Sequence, residues 1–262
     1  MQPHLSIVIP SYNEEDRLPP TLERIDTYVR EQRIDAEILV VDDGSSDETA
    51  RLAGEFLEHR NGRVIRLDEN RGKGAAVRRG VQEARGRWVL MTDADLSSPI
   101  EEHAKLATMA RDSDVDIVIA SRGLHNSQVE VRQAWVRKTM GRTFNVLMRG
   151  MTGLPFKDTQ CGFKLLDGNA ARALFAELKI DGFAYDVEMT WLALRYGYSI
   201  KEVGVRWQHV EESRVHLLLD PMKMFMDVCR VRFYHRGSVV RAGGLPQVDE
   251  SEADPLGRAS RF

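Results

Sequence analysis

Short apolar runs that alternate with helical patterns predict an α/β fold, a doubly wound and mainly parallel sheet flanked by helices. LSIVI (5–9), EILVV (37–41), RVIRL (63–67), WVLMT (88–92) and DIVIA (116–120) are short, rich in β-branched residues and nearly continuous. Strands buried on both faces of a parallel sheet have that composition. Between these runs the apolar residues recur at helical spacing, and the connections are short. Both features suit strand-helix-strand units.

Each element has its own local signal. After the first strand, Pro19-Pro20 suits the opening turn of a helix with Leu22, Ile25 and Val29 on one face. After the second, DDGSSDET offers Ser46 or Asp47 as a helix cap. A third helix is expected from near Gly74 to near Gly86, and a fourth from Pro99 to about Arg111. Beyond residue 121 the rhythm changes. The pattern predicts a basic helix over 132–150, a loop carrying DTQCGFKLL (158–166), helices at 169–179 and 186–197, and a strand near 199–207. Residues 221–236 read as a helix. The expected organisation is a main domain over 1–215, an amphipathic helical extension over 216–241, and a disordered tail over 242–262 with Gly, Pro and acidic residues.

Composition narrows the function classes. A chain of 262 residues, 42% of them hydrophobic, fits one large domain with a sizeable core. A net charge of −3 gives no global field for nucleic acid. Positive charge is local instead. Arg122, Arg132, Arg137, Lys138, Arg142 and Arg149 lie near Glu130 alone, and Lys223, Arg230, Arg232, Arg236 and Arg241 near Asp227. Such patches on a mildly acidic chain point to a local anionic partner. Cys161 and Cys229 are far apart and have no metal-ligand spacing, which suits a reducing compartment. MQPHLSIVIPSYN has no charged leader, and no stretch approaches the roughly 18 apolar residues of a spanning helix. The expected location is cytoplasmic, peripherally associated with a membrane.

In an open parallel sheet, ligands sit outside the carboxyl ends of the strands. Here those ends carry Pro10 to Glu14, Asp42-Asp43-Gly44, Asn70 to Gly74, Asp93 with Asp95, and Ser121-Arg122. On an extended chain Asp93 and Asp95 would point the same way and share a partner. Like charges so close raise each other's proton affinity unless a cation intervenes. Mg²⁺ or Mn²⁺, bridging to a substrate diphosphate, is the natural occupant. The glycines of RGKG (71–74) would let a phosphate approach the backbone, with Arg71 and Lys73 adding charge. Neither GxxxxGK[ST] nor GxGxxG is present, which turns the reading away from P-loop and dinucleotide sites.

P-S-Y-N-E-E (10–15), V-V-D-D-G-S-S-D (40–47), N-R-G-K-G (70–74) and D-A-D (93–95) resemble the inverting family 2 glycosyltransferases of the GT-A fold. The resemblance covers roughly residues 4–215. It implies that Pro10, Tyr12, Glu14, Asp42 and Asp43 hold the nucleoside. It places Lys73, Asp93, Ala94 and Asp95 around the sugar diphosphate, with Asp93 and Asp95 on the metal. D-T-Q-C-G-F-K (158–164), F-A-Y-D-V-E (183–188) and the W-x-x-x-x-E-S-R stretch (207–214) resemble dolichyl-phosphate β-glucosyltransferases and their polyprenyl-phosphate relatives. The dolichyl-phosphate mannose synthases are close kin. Two departures stand out: Arg214 replaces the usual lysine of G-S-K or E-S-K, and no membrane-spanning helix is present.

The implied reaction moves a hexose from UDP-glucose, or GDP-mannose, to a dolichyl or polyprenyl phosphate. A soluble glycan acceptor is the second enzymatic alternative, and a nucleotide-sugar-binding protein without turnover is a third. A lipid monophosphate is already anionic at pH 7, so placement matters more than a base. Arg214 and Lys73 would neutralise the leaving diphosphate with the metal, and Arg122 and Arg137 would take the acceptor phosphate. Asp158 would orient or deprotonate the acceptor, Glu188 would pair with a nearby arginine, and Cys161 would be packed. In DPMKMFMDVCRVRFYHRG (220–237), Lys223, Asp227 and Arg230 share a stripe amid Met222, Met224, Phe225, Met226 and Phe233. That helix either packs on the domain or lies at an anionic membrane surface.

Overall fold

The computed structural model describes residues 2–124, 127–130, 153–208 and 219–236. Strands β1 (Leu5–Ser11), β2 (Ala36–Asp42), β3 (Gly62–Arg66), β4 (Trp88–Met91) and β5 (Ile117–Ser121) form where the apolar runs predict them. Helices α1 (Leu18–Glu31), α2 (Thr49–Leu57), α3 (Lys73–Glu83) and α4 (His103–Ser113) connect them. The prolines open α1 from within its first turn. The N-cap of α2 is Glu48 rather than Ser46 or Asp47, though Asp47 Oδ1 accepts the Thr49 amide at 3.0 Å at its start. The segment after Pro99 opens as a 3-10 turn (Ile100–Glu102) before α4.

β6 (Gln128–Glu130) pairs in parallel with β9 (Arg206–Gln208) as a small separate sheet. Among the described residues the main sheet has seven strands in the order β3-β2-β1-β4-β7-β5-β8, where β7 is Lys164–Asp167 and β8 is Ile200–Gly204. β7 begins within DTQCGFKLL, where the sequence pattern predicts a loop. It runs antiparallel between β4 and β5, and Met91 pairs with Lys164. A four-residue strand that begins with a charged residue has no period to detect. Its insertion is decisive for the site, because it carries the 158–163 segment to the carboxyl end of β4.

The side chains of β1 divide between two cores, as double winding requires. Leu5, Ile7 and Ile9 join a cluster under α1 and α4 with Leu22, Ile25 and Leu106. Val8 joins the other face with Val77 and Val81 of α3, and with Leu174 and Phe175 of α5 (Gly168–Glu177). A smaller third cluster unites Ile119, Ile180 and Val187 of α6 (Tyr185–Arg195) with Val228 and Val231 of α7 (Leu219–Tyr234). α7 thus packs on the domain along one stripe. Its other side leaves Met222 60% and Phe233 65% exposed, along with Phe225, Met226 and Tyr234. The expected helix over 132–150 and the tail over 242–262 lie outside the described residues, as do Arg137 and Arg214.

Candidate active site

The loops after β1 and β2 are laced to each other. Asn13 adopts a left-handed conformation, its amide donates to Ser45 Oγ at 2.8 Å, and its side-chain oxygen accepts the Ser46 amide at 2.9 Å. The Glu14 amide donates to Thr49 Oγ1 at 2.7 Å. Glu14 itself forms an ion pair with Arg17 at 2.6 Å, so its carboxylate is already engaged where the sequence expected a nucleoside contact. Tyr12 is exposed and Pro10 half-buried on the same rim. Asp42 is fully buried, accepts the Ser45 amide at 3.2 Å and pairs with Arg66.

Asp43 does something the sequence did not foresee. Its two carboxylate oxygens accept the amides of Arg71 and Gly72 at 2.9 and 2.8 Å, fastening the RGKG segment to the end of β2. Burial pushes this carboxyl above its usual range despite those amides. The glycines of RGKG also have a structural reason beyond the one expected. A Cβ on Gly72 would meet the Asp181 carbonyl at 2.6 Å, and one on Gly74 would meet the Ile180 and Gly182 carbonyls at 2.6 and 2.8 Å. They admit the backbone of the 180–182 turn, whose Asp181 carbonyl accepts the Ala75 amide at 3.1 Å. The Asp181 carboxylate pairs with Arg71 and Arg78.

The D-A-D stretch is not extended, which corrects the premise that put both carboxylates on one side. It turns just after β4: Leu96 has φ 45°, and its amide donates to the Asp93 carbonyl at 3.2 Å. Ala94 is buried in the core, and its carbonyl accepts Thr21 Oγ1 at 2.7 Å, so it anchors the turn to α1. Asp95 accepts the Ser97 amide at 2.9 Å. The turn still brings both acids towards one cation, the ammonium of Lys73. Lys73 Nζ donates to Asp93 Oδ1 at 2.6 Å, and Asp93, Asp186 and Asp95 together outweigh burial and raise its pKa. Burial opposes ionisation of Asp93, yet Lys73, with Lys164 and Arg122 behind it, holds its carboxyl below the usual range.

Two more ion pairs stand behind this one. Lys164 at the head of β7 is fully buried and donates to Asp186 and to the Cys161 carbonyl. Arg122, after β5, engages Asp158 through its backbone amide at 3.0 Å, Nε at 2.6 Å and Nη2 at 2.9 Å. Asp158 is only 2% exposed; burial opposes its charge, but Arg122 prevails and keeps it below the usual carboxylate range. Arg122 lies 5.6 Å from the Trp207 ring and keeps a third of its side chain exposed. Burial raises the Cys161 thiol, so it stays an inert packed group as expected. Gly162 lets the 158–163 segment touch the D-A-D turn, since a Cβ there would lie 2.5 Å from Asp93 Oδ1.

The carboxyl edge of the sheet therefore gathers Asp43, Lys73, Asp93, Asp95, Arg122 and Asp158, all of which the sequence named. It adds Lys164, Asp186 and Gly162, which lie in the quoted motifs without an assigned role, and Asp181, which the motifs do not contain. A usable signal existed for Lys164: a lysine inside the apolar GFKLL run must be paired if it is buried. Among the described residues no group of three or more His, Cys, Asp and Glu is placed to hold a metal. The turn after β4 carries both carboxylates, and at the ends of β1 and β4 the buried Ser11 Oγ and Thr92 Oγ1 have no hydrogen-bond partner among the described residues; this donor set suits a hard cation that takes its remaining oxygens from substrate and water.

Comparison with known proteins decides what this edge belongs to. The model of glycosyl transferase family 2 matches residues 6–175, which span the strand ends just described. The chain belongs to glycosyl transferase family 2. Among family relatives, a dolichyl-phosphate beta-glucosyltransferase of Dictyostelium discoideum is 34% identical over 88% of this chain and 74% of its own length. The Homo sapiens dolichyl-phosphate beta-glucosyltransferase is 33% identical over 87% and 74%. A solved glucosyl-3-phosphoglycerate synthase from Mycobacterium tuberculosis, in complex with Mn²⁺, uridine-diphosphate-glucose and phosphoglyceric acid, superposes with TM-score 0.64 at 18% identity, covering 88% of this chain and 79% of that one. The fold of this family member is accordingly the GT-A fold expected from its sequence. Among its described residues no helix is long and apolar enough to cross a membrane.

Proposed function

We propose that this family 2 member is a metal-dependent, inverting glucosyltransferase that moves glucose from UDP-glucose to a dolichyl or polyprenyl phosphate at a membrane surface. The observation that carries the acceptor class is the state of Asp158. A hydroxyl acceptor needs a base whose pKa lies near the working pH. Asp158 is instead neutralised by Arg122 and held below the usual carboxylate range. It serves to fix the guanidinium, which suits an acceptor that arrives already ionised. The relatives named dolichyl-phosphate beta-glucosyltransferases support glucose and the lipid phosphate in the same way.

Asp93 and Asp95 would hold a Mg²⁺ or Mn²⁺ ion, which would neutralise charge on the departing diphosphate. Asp43 keeps the RGKG segment in place, so that Lys73 stands beside Asp93 and adds positive charge on the donor side. Ser11, Tyr12 and Asp42 line the edge where the nucleoside would lie. Arg122 offers the acceptor phosphate a guanidinium whose orientation Asp158 sets. A phosphate oxygen then attacks the anomeric carbon as the bond to the diphosphate breaks on the opposite face, inverting that centre. Arg137 and Arg214, outside the described residues, remain assigned to the acceptor and donor phosphates on the sequence pattern alone. The exposed Met222, Phe225, Met226 and Phe233 of α7, with Arg230 and Arg236 beside them, form an interfacial face for anionic lipid.

Mass spectrometry of lipids after incubation with dolichyl phosphate and either UDP-glucose or GDP-mannose tests the proposal. A hexosyl lipid phosphate from UDP-glucose is expected. A product from GDP-mannose alone would overturn the sugar, and transfer only to a soluble glycan would overturn the acceptor.

A further inference from the structure

His235 lies just beyond the end of α7, far in sequence from every residue assigned to the site, and is almost completely buried. Its Nε2 is 2.7 Å from Glu188 Oε1. Glu188, fully buried on α6, meets no arginine among the described residues, where the sequence expected one. Its two oxygens accept the backbone amides of Lys179 and Ile180 at 3.0 and 2.9 Å. Those amides lead directly into the 180–182 turn, against which Gly72 and Gly74 pack too closely for any Cβ. The Asp181 carbonyl of that turn takes the Ala75 amide, and its carboxylate pairs with Arg71 and Arg78. Lys73, between the two glycines, holds Asp93. An unbroken set of hydrogen bonds and backbone contacts thus runs from the C-terminal helix to the donor side of the site.

We propose that His235 is a positioning residue for the donor site, acting through Glu188 and the 179–182 turn on the RGKG segment. This inference rests on the donor-site reading above and deepens it. A buried carboxylate with three donors has one low-energy position, and the two backbone amides it accepts take their place from it. α7 reinforces the same turn from outside: Val228 and Val231 pack with Ile180, Ala184 and Val187, and Asp227 lies beside Gly182. Docking of α7 and the placement of Lys73 are therefore one structural event. If α7 also meets a membrane through its exposed apolar face, engagement of the lipid surface and readiness of the donor site are linked.

The test compares His235→Leu with His235→Gln, whose side-chain amide reaches where the ring Nε2 stands. Hydrogen exchange reports the path without any ligand. In His235→Leu the amides of Lys179, Ile180 and Ala75 should exchange about tenfold faster, the scale of one lost hydrogen bond to a charged group. His235→Gln should restore the slow exchange. Calorimetry with UDP and Mn²⁺ then reports the consequence, an affinity about tenfold weaker in the leucine variant and recovered in the glutamine variant. Unchanged exchange in a folded His235→Leu protein would overturn the coupling. Faster exchange with unchanged UDP affinity would overturn the positioning role. Wild-type protein that binds no UDP but shows the exchange pattern would overturn the donor assignment and leave the coupling standing. Should the leucine variant not fold, His235→Asn, whose amide stops short of Glu188, gives the same contrast against His235→Gln.

Discussion

Gly162→Ala puts a single methyl group into the contact between the 158–163 segment and the D-A-D turn. That Cβ would sit 2.5 Å from Asp93 Oδ1 and 2.7 Å from its Cγ. Ordinary carbon-oxygen contact needs roughly 3.3 Å or more, so something must move by nearly 1 Å. The backbone of Gly162 is held by the strand that follows, with Lys164 paired to Met91 across the sheet. Asp93 has the easier exit, because a third of its side chain is exposed, and moving it out breaks the 2.6 Å bond to Lys73. Overpacking of this kind costs about 1–3 kcal/mol. For a chain of this size that lowers the melting temperature by roughly 2–4 °C per kcal/mol, and the fold survives. The functional cost is larger, since displacing a reacting or binding group by about 1 Å can cost on the order of 100-fold in rate. Thermal unfolding, Mn²⁺ and UDP calorimetry and initial rates would be measured on the same preparation. Wild-type rate and Mn²⁺ affinity in a folded Gly162→Ala protein would refute the reasoning, because Asp93 then has no binding role or the 158–163 segment does not press on it.

Further outcomes are expected elsewhere in the site. Asp95→Ala should lower turnover by orders of magnitude with little change in unfolding, and EDTA should do the same to the wild type; full activity in EDTA would remove the metal from the reaction. Asp158→Asn leaves Arg122 without its counter-charge and should cost about 2 kcal/mol at neutral pH, the scale of a lost charged hydrogen bond. Because the folded pKa of Asp158 is depressed, its stabilising contribution is present above the unfolded value of about 3.9 and is lost as pH falls through the lower folded value. Urea unfolding of the two proteins should therefore differ at pH 7, with the gap closing as pH falls from about 4 through the lower folded value; a gap that persists through the acid limb contradicts the ion pair. The same variant should keep measurable transfer with a weakened KM for the lipid phosphate, whereas abolition of rate at every pH would restore Asp158 as a base. Wild-type protein should co-sediment with anionic vesicles at low salt and lose them when Arg230, Arg232 and Arg236 become glutamate; protein that stays in the supernatant would point to a soluble acceptor.

The sequence by itself determined the winding and the edge on which chemistry occurs. β-branched runs such as LSIVI and EILVV are a local signal, because a strand covered on both faces has no polar alternation to maintain. Polar residues at the ends of those runs then had to share one edge, and Lys73, Asp93, Asp95 and Arg122 do so. The partnerships among them were decided only by the tertiary structure. β7 enters antiparallel between β4 and β5, a non-local pairing with no period of its own, and it alone brings Lys164 and Gly162 to Asp93. The contacts that Asp43 and the RGKG glycines make within the protein were hidden for the same reason, since an amide or a carbonyl from a distant loop leaves no mark on residue type. Among the described residues Glu188 meets His235, 47 positions away, and no arginine. A charged side chain announces in sequence that it needs a partner when buried; the fold, through which backbones approach one another, chooses the partner.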